Sequence, residues 1–354
     1  MDQLAPTPVK PVVTAEKAAP KKEFLNYIHN FRGVAIIFVV AGHLLLNWAP
    51  DSTLHKFFRT FWENGTVLFI FIAGYLFQHL SKKFEYRSYL SKKVQYVIIP
   101  YLIVSAPIII YRLYSNDYPG SILGYHPDFL SWSVGHKLAF FIFCGGHMQQ
   151  LWFVPMIAIF YLIAPLLIYI DRHPRWYYLL LVTVPLSMWI VREPFNDIPR
   201  MFAHFFSVYL FGMFMSRYRT AFMDLAKKYW VVLTVLTIAA FALNMVYYDQ
   251  YNNALNYTHK MLFCCFFIYW LWKLDKWVPS FVAVLAELSF GIFFIHYYVL
   301  LVVKAIYEKS FHHAIPGNVV YWTIDLALVL AGSVLFIKMV QKITPKYSRY
   351  FIGC

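Results

Sequence analysis

The chain has 354 residues, of which 60% are hydrophobic and 14% charged; an ordinary soluble domain carries about 25% charged residues. Its mean hydropathy is +0.55, and its apolar residues form long blocks between short polar loops, which excludes a soluble globular protein and leaves no room for a second globular domain. The formal charge of +14 does not point to nucleic acid, because Lys and Arg sit in short clusters between apolar runs and not on one basic face.

Residues 1–24 hold Pro6, Pro8, Pro11 and Pro20 among Lys10, Lys17, Lys21 and Lys22. This stretch reads as a flexible cytoplasmic tail. It is not a signal peptide, since the apolar run after it continues too far. Residues 25–343 are expected to form one membrane domain, and 344–354 a second, short cytoplasmic tail.

The apolar runs predict an all-α, polytopic transmembrane helical bundle of about ten spans. In chain order these are 31–49, 65–80, 94–112, 133–144 with 151–170, 176–191, 203–216, 230–248, 259–274, 281–304 and 319–340. With the N-terminus inside, 22 of the 31 basic residues fall in inside segments. By the positive-inside rule both termini are then cytoplasmic. Tyr and Trp cluster at run ends, as at 175–178 and 247–251, and read as interface anchors.

The first run contains Arg32 and His43, eleven residues apart. That spacing returns to within about 20° of one helix face and separates the two by roughly 16 Å. With Arg32 at the membrane edge, His43 falls near the bilayer middle. A buried ionisable residue in a span is a functional candidate, and an imidazole can move a proton near neutral pH. The alternative for His43 is a packing role between helices. Gly33 and Gly42 on the same run allow close approach of a helix or ligand.

Lys92 and Lys93 precede the third run. They obey the topology rule, and they also suit a phosphate-rich ligand. The ninth run contains Glu287, Ser289 and His296, with the last two sharing a face. The tenth contains Asp325, an acid able either to orient a His or to bond a neighbouring helix. The four cysteines, Cys144, Cys264, Cys265 and Cys354, form no CxxC pair or metal spacing, so neither a disulfide scaffold nor a metal site is expected. Phosphate-loop, zinc-protease and nucleophile-elbow motifs are absent from the sequence.

Five stretches, in order, resemble the membrane acyltransferase-3 family. FRGVAIIFVVAGH at 31–43 is similar to its opening helix, an Arg and a His with ten residues between them. GTVLFIFIAGYLF at 65–77 resembles its second helix, with Ala73 where Ser is frequent. YLSKKVQYVIIPYLI at 89–103 resembles its basic, Pro-terminated approach to helix three, with Lys93 at an Arg position and Tyr96 in place of a frequent second Arg. HMQQLWFVPMIAIFYLIAPLL at 147–167 and ELSFGIFFIHYYVL at 287–300 resemble two later elements.

The resemblance implies an integral membrane O-acetyltransferase. Arg32 and His43 become the catalytic pair, with Arg32, Lys92 and Lys93 on the donor side. Trp152, with Pro155, and the pair Ser289 and His296 become acceptor-side or supporting residues, and Glu287 and Asp325, picked out by their place in apolar runs, are expected to join them. The implied donor is acetyl-CoA, without a metal, and the implied acceptor is a hydroxyl of a cell-surface or exported glycan. Expected surroundings are the bacterial inner membrane and proteins of polysaccharide synthesis or export. The competing reading is a transporter or flippase for a lipid-linked glycan, which predicts matched broken helices in the two halves.

Overall fold

A computed structural model describes residues 25–190, 197–248 and 253–354. The tail expected at 1–24 lies outside these residues, as do residues 249–251 of the aromatic run at 247–251. Among the described residues the chain is helical, with sixteen α-helices and no strand. The first is α1 (Asn26–His43), followed by α2 (Thr53–Trp62) and α3 (Gly65–His79). Then α4 (Tyr86–Lys93) continues through a π-helical turn, Val94–Ile98, into α5 (Ile99–Ser115). Two short helices, α6 (Gly120–Tyr125) and α7 (Val134–Cys144), lead to α8 (Phe153–Leu162), α9 (Ala164–Arg172) and α10 (Leu180–Trp189). The bundle is completed by α11 (Ile198–Arg217), α12 (Arg219–Val246), α13 (Asn253–Lys273), α14 (Ser280–Phe311) and α15 (Val319–Ile343). The last helix, α16 (Ser348–Ile352), packs against α5, α14 and α15.

The all-α membrane bundle is present, but the expectation of about ten spans is wrong. Six helical segments among the described residues are long and apolar enough to cross a bilayer, and seven if the bent pair α8–α9 counts as one. Three causes separate the counts. Proline breaks shorten the helices: Pro165 cannot donate to the carbonyl one turn back, and α9 leaves α8 at 56°. The run expected at 176–191 resolves into a 3₁₀ segment and the ten-residue α10. Meanwhile α1 and α13 carry too many polar residues to pass as lipid-compatible, among them Asn30 and Arg32 on α1 and Asn256 and Lys260 on α13. The charge split that put both termini in the cytosol depended on ten alternating crossings, and it loses its basis with them.

The polar α1 is central. It contacts α2, α3, α13, α14 and α15, and Phe31, Ala35, Ile36, Val40 and Ala41 on it are fully buried. The helices that meet lipid look different. On α12, Val231, Val232, Val235, Leu236 and Ile238 are exposed, the apolar outer face a bilayer requires. Two polar clusters tie the helices together. Asp275 accepts hydrogen bonds from Asn26 (2.7 Å) and Asn30 (2.9 Å), fixing the start of α1 beside α14. Asp171 accepts from Ser81 (3.2 Å) and Tyr177 (2.9 Å) and pairs with Arg217 (3.2 Å), joining α9 to α11.

Helices α3 and α11 cross with their backbones in contact. A Cβ on Gly74 would stand 2.1 Å from the Tyr209 carbonyl oxygen, and one on Gly212 would stand 2.2 Å from that of Phe71. No side chain can yield there, because the obstruction is backbone. Gly74→Ala is therefore expected to destabilise the bundle by about 3 kcal/mol. Thermal unfolding of the detergent-purified protein checks this, and an unchanged midpoint would refute the tight crossing.

Candidate active site

Two contacts along the α1–α14 seam bring four of the sequence-derived residues together. At one level, Arg32 Nη2 donates to Ser289 Oγ at 3.0 Å, and Ser289 in turn donates to the Ala286 carbonyl at 2.9 Å. Nearly three turns further along α1, His43 Nδ1 lies 3.1 Å from His296 Nε2, with the rings stacked at 5.1 Å between centroids. The seam is close because Gly33 faces Val282, where a Cβ would meet the carbonyl oxygen at 2.3 Å. Gly33 thus has the close-approach role expected for it.

The hydrogen bonds fix the histidine tautomers. His296 Nδ1 lies 2.9 Å from the Ile292 carbonyl oxygen and 3.0 Å from that of Phe293. A carbonyl only accepts, so His296 Nδ1 carries the proton. With both rings neutral, His296 Nε2 is then an acceptor and His43 Nδ1 must donate to it. His43 is left with its lone pair on Nε2, the arrangement of a base held in orientation by a second group.

His43 is the last residue of α1 and lines a cavity of about 640 Å³. That volume is in the range of small-molecule sites. Trp152 lines the same cavity, with its ring 6.1 Å from that of Phe205. The remaining wall is rich in amides and aromatic rings, including Asn64, Gln150, Asn244, Trp62 and Tyr257. Three oxygens of these residues, Thr60 Oγ1, Asn64 Oδ1 and Gln150 Oε1, are enclosed behind the cavity surface and have no hydrogen-bond partner among the described residues.

Arg32, Lys92 and Lys93 do not line this cavity. Lys93 directs its ammonium over the rings of Tyr161 (4.8 Å) and Tyr89 (5.3 Å). Lys92, its neighbour, is exposed, as is Glu287. Asp325 is buried on α15, with no hydrogen bond to His43 or His296 among the described residues. Pro155 sits in the first turn of α8, where a missing N–H costs little. The sequence reading missed the amide-rich wall. Gln149 and Gln150, directly before Trp152, were its one visible trace.

The fold and this site define a multi-pass membrane protein with a hydrogen-bonded pair of histidines at the wall of a polar cavity. Residues 25–338 match the family described as an acyltransferase domain (Acyl_transf_3), and the chain belongs to that family. No curated protein and no solved structure matches it. Among the described residues no group of His, Cys, Asp and Glu is disposed to hold a metal ion.

The tautomer assignment has a direct test. His296→Phe keeps a ring of similar bulk and removes the acceptor for His43 Nδ1. Imidazole nitrogen NMR of selectively labelled protein is expected to show a single Nδ1–H tautomer for His43 in the wild type and a mixture in the variant. Identical His43 spectra in the two proteins would refute the assignment.

Proposed function

We propose that the chain is a membrane O-acetyltransferase that moves acetyl from acetyl-CoA to a hydroxyl of a cell-surface or exported glycan. The observation that supports this reading is the hydrogen-bonded His43–His296 pair on the wall of a cavity lined by amide side chains and aromatic rings. Sugar hydroxyls suit the amide side chains among the lining residues, and Trp62 and Trp152 supply flat apolar surfaces beside them. In the reaction, His43 Nε2 takes the proton of the acceptor hydroxyl as its oxygen attacks the thioester carbonyl. The C–O bond forms, the C–S bond breaks, and His43 returns the proton to the departing thiolate. His296 accepts from His43 Nδ1–H throughout, which keeps the ring oriented while it is transiently charged.

Arg32 and Lys93 act at the far end of the donor. Arg32 lies roughly 16 Å from His43 along α1. That separation suits a donor whose phosphates and thioester stand at opposite ends of a long arm. The bacterial inner membrane and proteins of polysaccharide synthesis or export are the matching surroundings. The transporter reading draws less support, because α8–α9 is the single bent pair among the described residues and has no counterpart in the other half.

His43→Asn retains a hydrogen-bonding side chain without a base. It is expected to lower acetyl transfer by roughly 100-fold or more, with expression and monodispersity in detergent preserved. His173→Asn, at an exposed position after α9, is the control and is expected to act like the wild type. Acetyl released onto purified glycan per enzyme molecule is the measurement; near-wild-type turnover in His43→Asn would overturn the mechanism. On the donor side, Lys93→Ala is expected to raise the KM for acetyl-CoA by roughly tenfold, as the loss of one charge-assisted contact would, and Lys92→Ala by much less. Equal KM values in the two variants would remove Lys93 from the donor site.

A further inference from the structure

We infer that Arg349, carried by α16, binds a phosphate group of the acyl donor and completes a cationic cluster with Lys93 and Arg32. The inference rests on the acyl-donor reading above, but its evidence is separate and lies at the other end of the bundle from the histidine pair.

Three cations meet there, and each is held by a neutral group. The Arg349 guanidinium lies over the Tyr96 ring, 4.0 Å from its centroid, and Tyr350 packs against the same ring at 5.4 Å. Lys93 is held over Tyr89 and Tyr161, and Arg32 by the Ser289 hydroxyl. Both Arg349 and Arg32 are within electrostatic reach of Lys93. None of the three forms an ion pair among the described residues. Ring faces and a hydroxyl aim a cation without cancelling its charge. Glu287 and Lys338 also lie within electrostatic reach of neighbouring Cys354. Arg32 and Lys93 are half-buried and Arg349 is exposed; like charges gathered together repel unless an anion joins them, and phosphate is the anion that Arg and Lys together recognise.

The position of Arg349 is fixed by packing. Ser348 and Ile352 of α16 are buried. The helix ends at Gly353, whose positive φ of 80° turns the backbone into α14, and a Cβ there would stand 2.5 Å from the Phe290 ring. Cys354 Sγ then fills the space over Gly291, 2.3 Å from where a Cβ would sit. Residue 349 also lies beyond the matched residues 25–338, so this cation reaches the site from outside the family domain.

Adenosine 3′,5′-bisphosphate carries phosphates and no acyl group, and it is the probe for the full-length protein in detergent. Calorimetric titration is expected to show binding that weakens with added salt and falls about tenfold or more in Arg349→Gln. Arg349→Lys keeps the charge and loses the flat stack on Tyr96. It is expected to bind within about threefold of the wild type even where its melting temperature drops, and it is the deciding variant if the Gln protein does not fold. Wild-type affinity in Arg349→Gln, with or without a lower melting temperature, would reduce Arg349 to an anchor for α16 and overturn the inference. No binding of the bisphosphate to the wild type would overturn it as well. If the bisphosphate binds through Arg349 while the wild type transfers no acetyl group, the phosphate site stands and the acetyl-donor reading fails.

Discussion

The polar side chains of α1 must find their partners inside the protein, because hydrocarbon offers none. Each level of the helix meets this requirement with a different neighbour. Asn26 and Asn30 reach Asp275, Arg32 reaches Ser289, and His43 reaches His296. At the same end as His43, Trp322 Nε1 of α15 donates to the Ala41 carbonyl at 3.1 Å. The rest of the bundle is arranged around this demand. Helices α3, α13, α14 and α15 pack around α1, and α14 and α15 turn apolar faces outward on their other sides. The His43–His296 pair is then held between helices of the protein itself.

The seam between α1 and α14 has a consequence for the two residue pairs. Arg32 and His43 are eleven residues apart on one helix, and Ser289 and His296 are seven apart on the other. The two helices lie close where Gly33 meets Val282, and each pair shares a face of its own helix. A shift of either helix along the seam would therefore disturb both contacts together. The anchoring of α1 by Asp275 and of α14 by the packing of Gly353 and Cys354 helps to hold the register.

Much of the site's inventory is legible in the sequence, because Arg32, His43, Ser289 and His296 are polar residues in long apolar runs. Their pairing is not legible, since nothing local says that helix one meets helix fourteen. The span count fails for a related reason. Hydropathy measures compatibility with lipid, and α1 and α13 are surrounded largely by protein, while Pro165 divides a run that reads as continuous. The cavity wall was hidden because Thr60 with Asn64, Gln150 and Asn244 come from three separate stretches, each unremarkable alone. Arg349 looked like one more basic residue in a terminal cluster. Tyr96, an apparent gap in the basic pattern at 92–96, is the ring on which Arg349 lies.

The π-helical turn at Val94–Ile98 sets the angular phase of everything before it. One extra residue in a turn rotates the preceding helix by about 100° relative to a continuous α-helix. In the observed phase, Lys93 turns inward to Tyr89 and Tyr161 while Lys92 remains exposed, and Tyr96, within the turn itself, faces α16. Relaxing the turn to regular α-helix would swing the lysines around the axis and carry Lys93 off Tyr161, while Tyr89, on the same helix, would move with it. The turn is thus a place where a change of helical winding, with no change of sequence and no movement of α1, would gather or disperse positive charge at this end of the bundle.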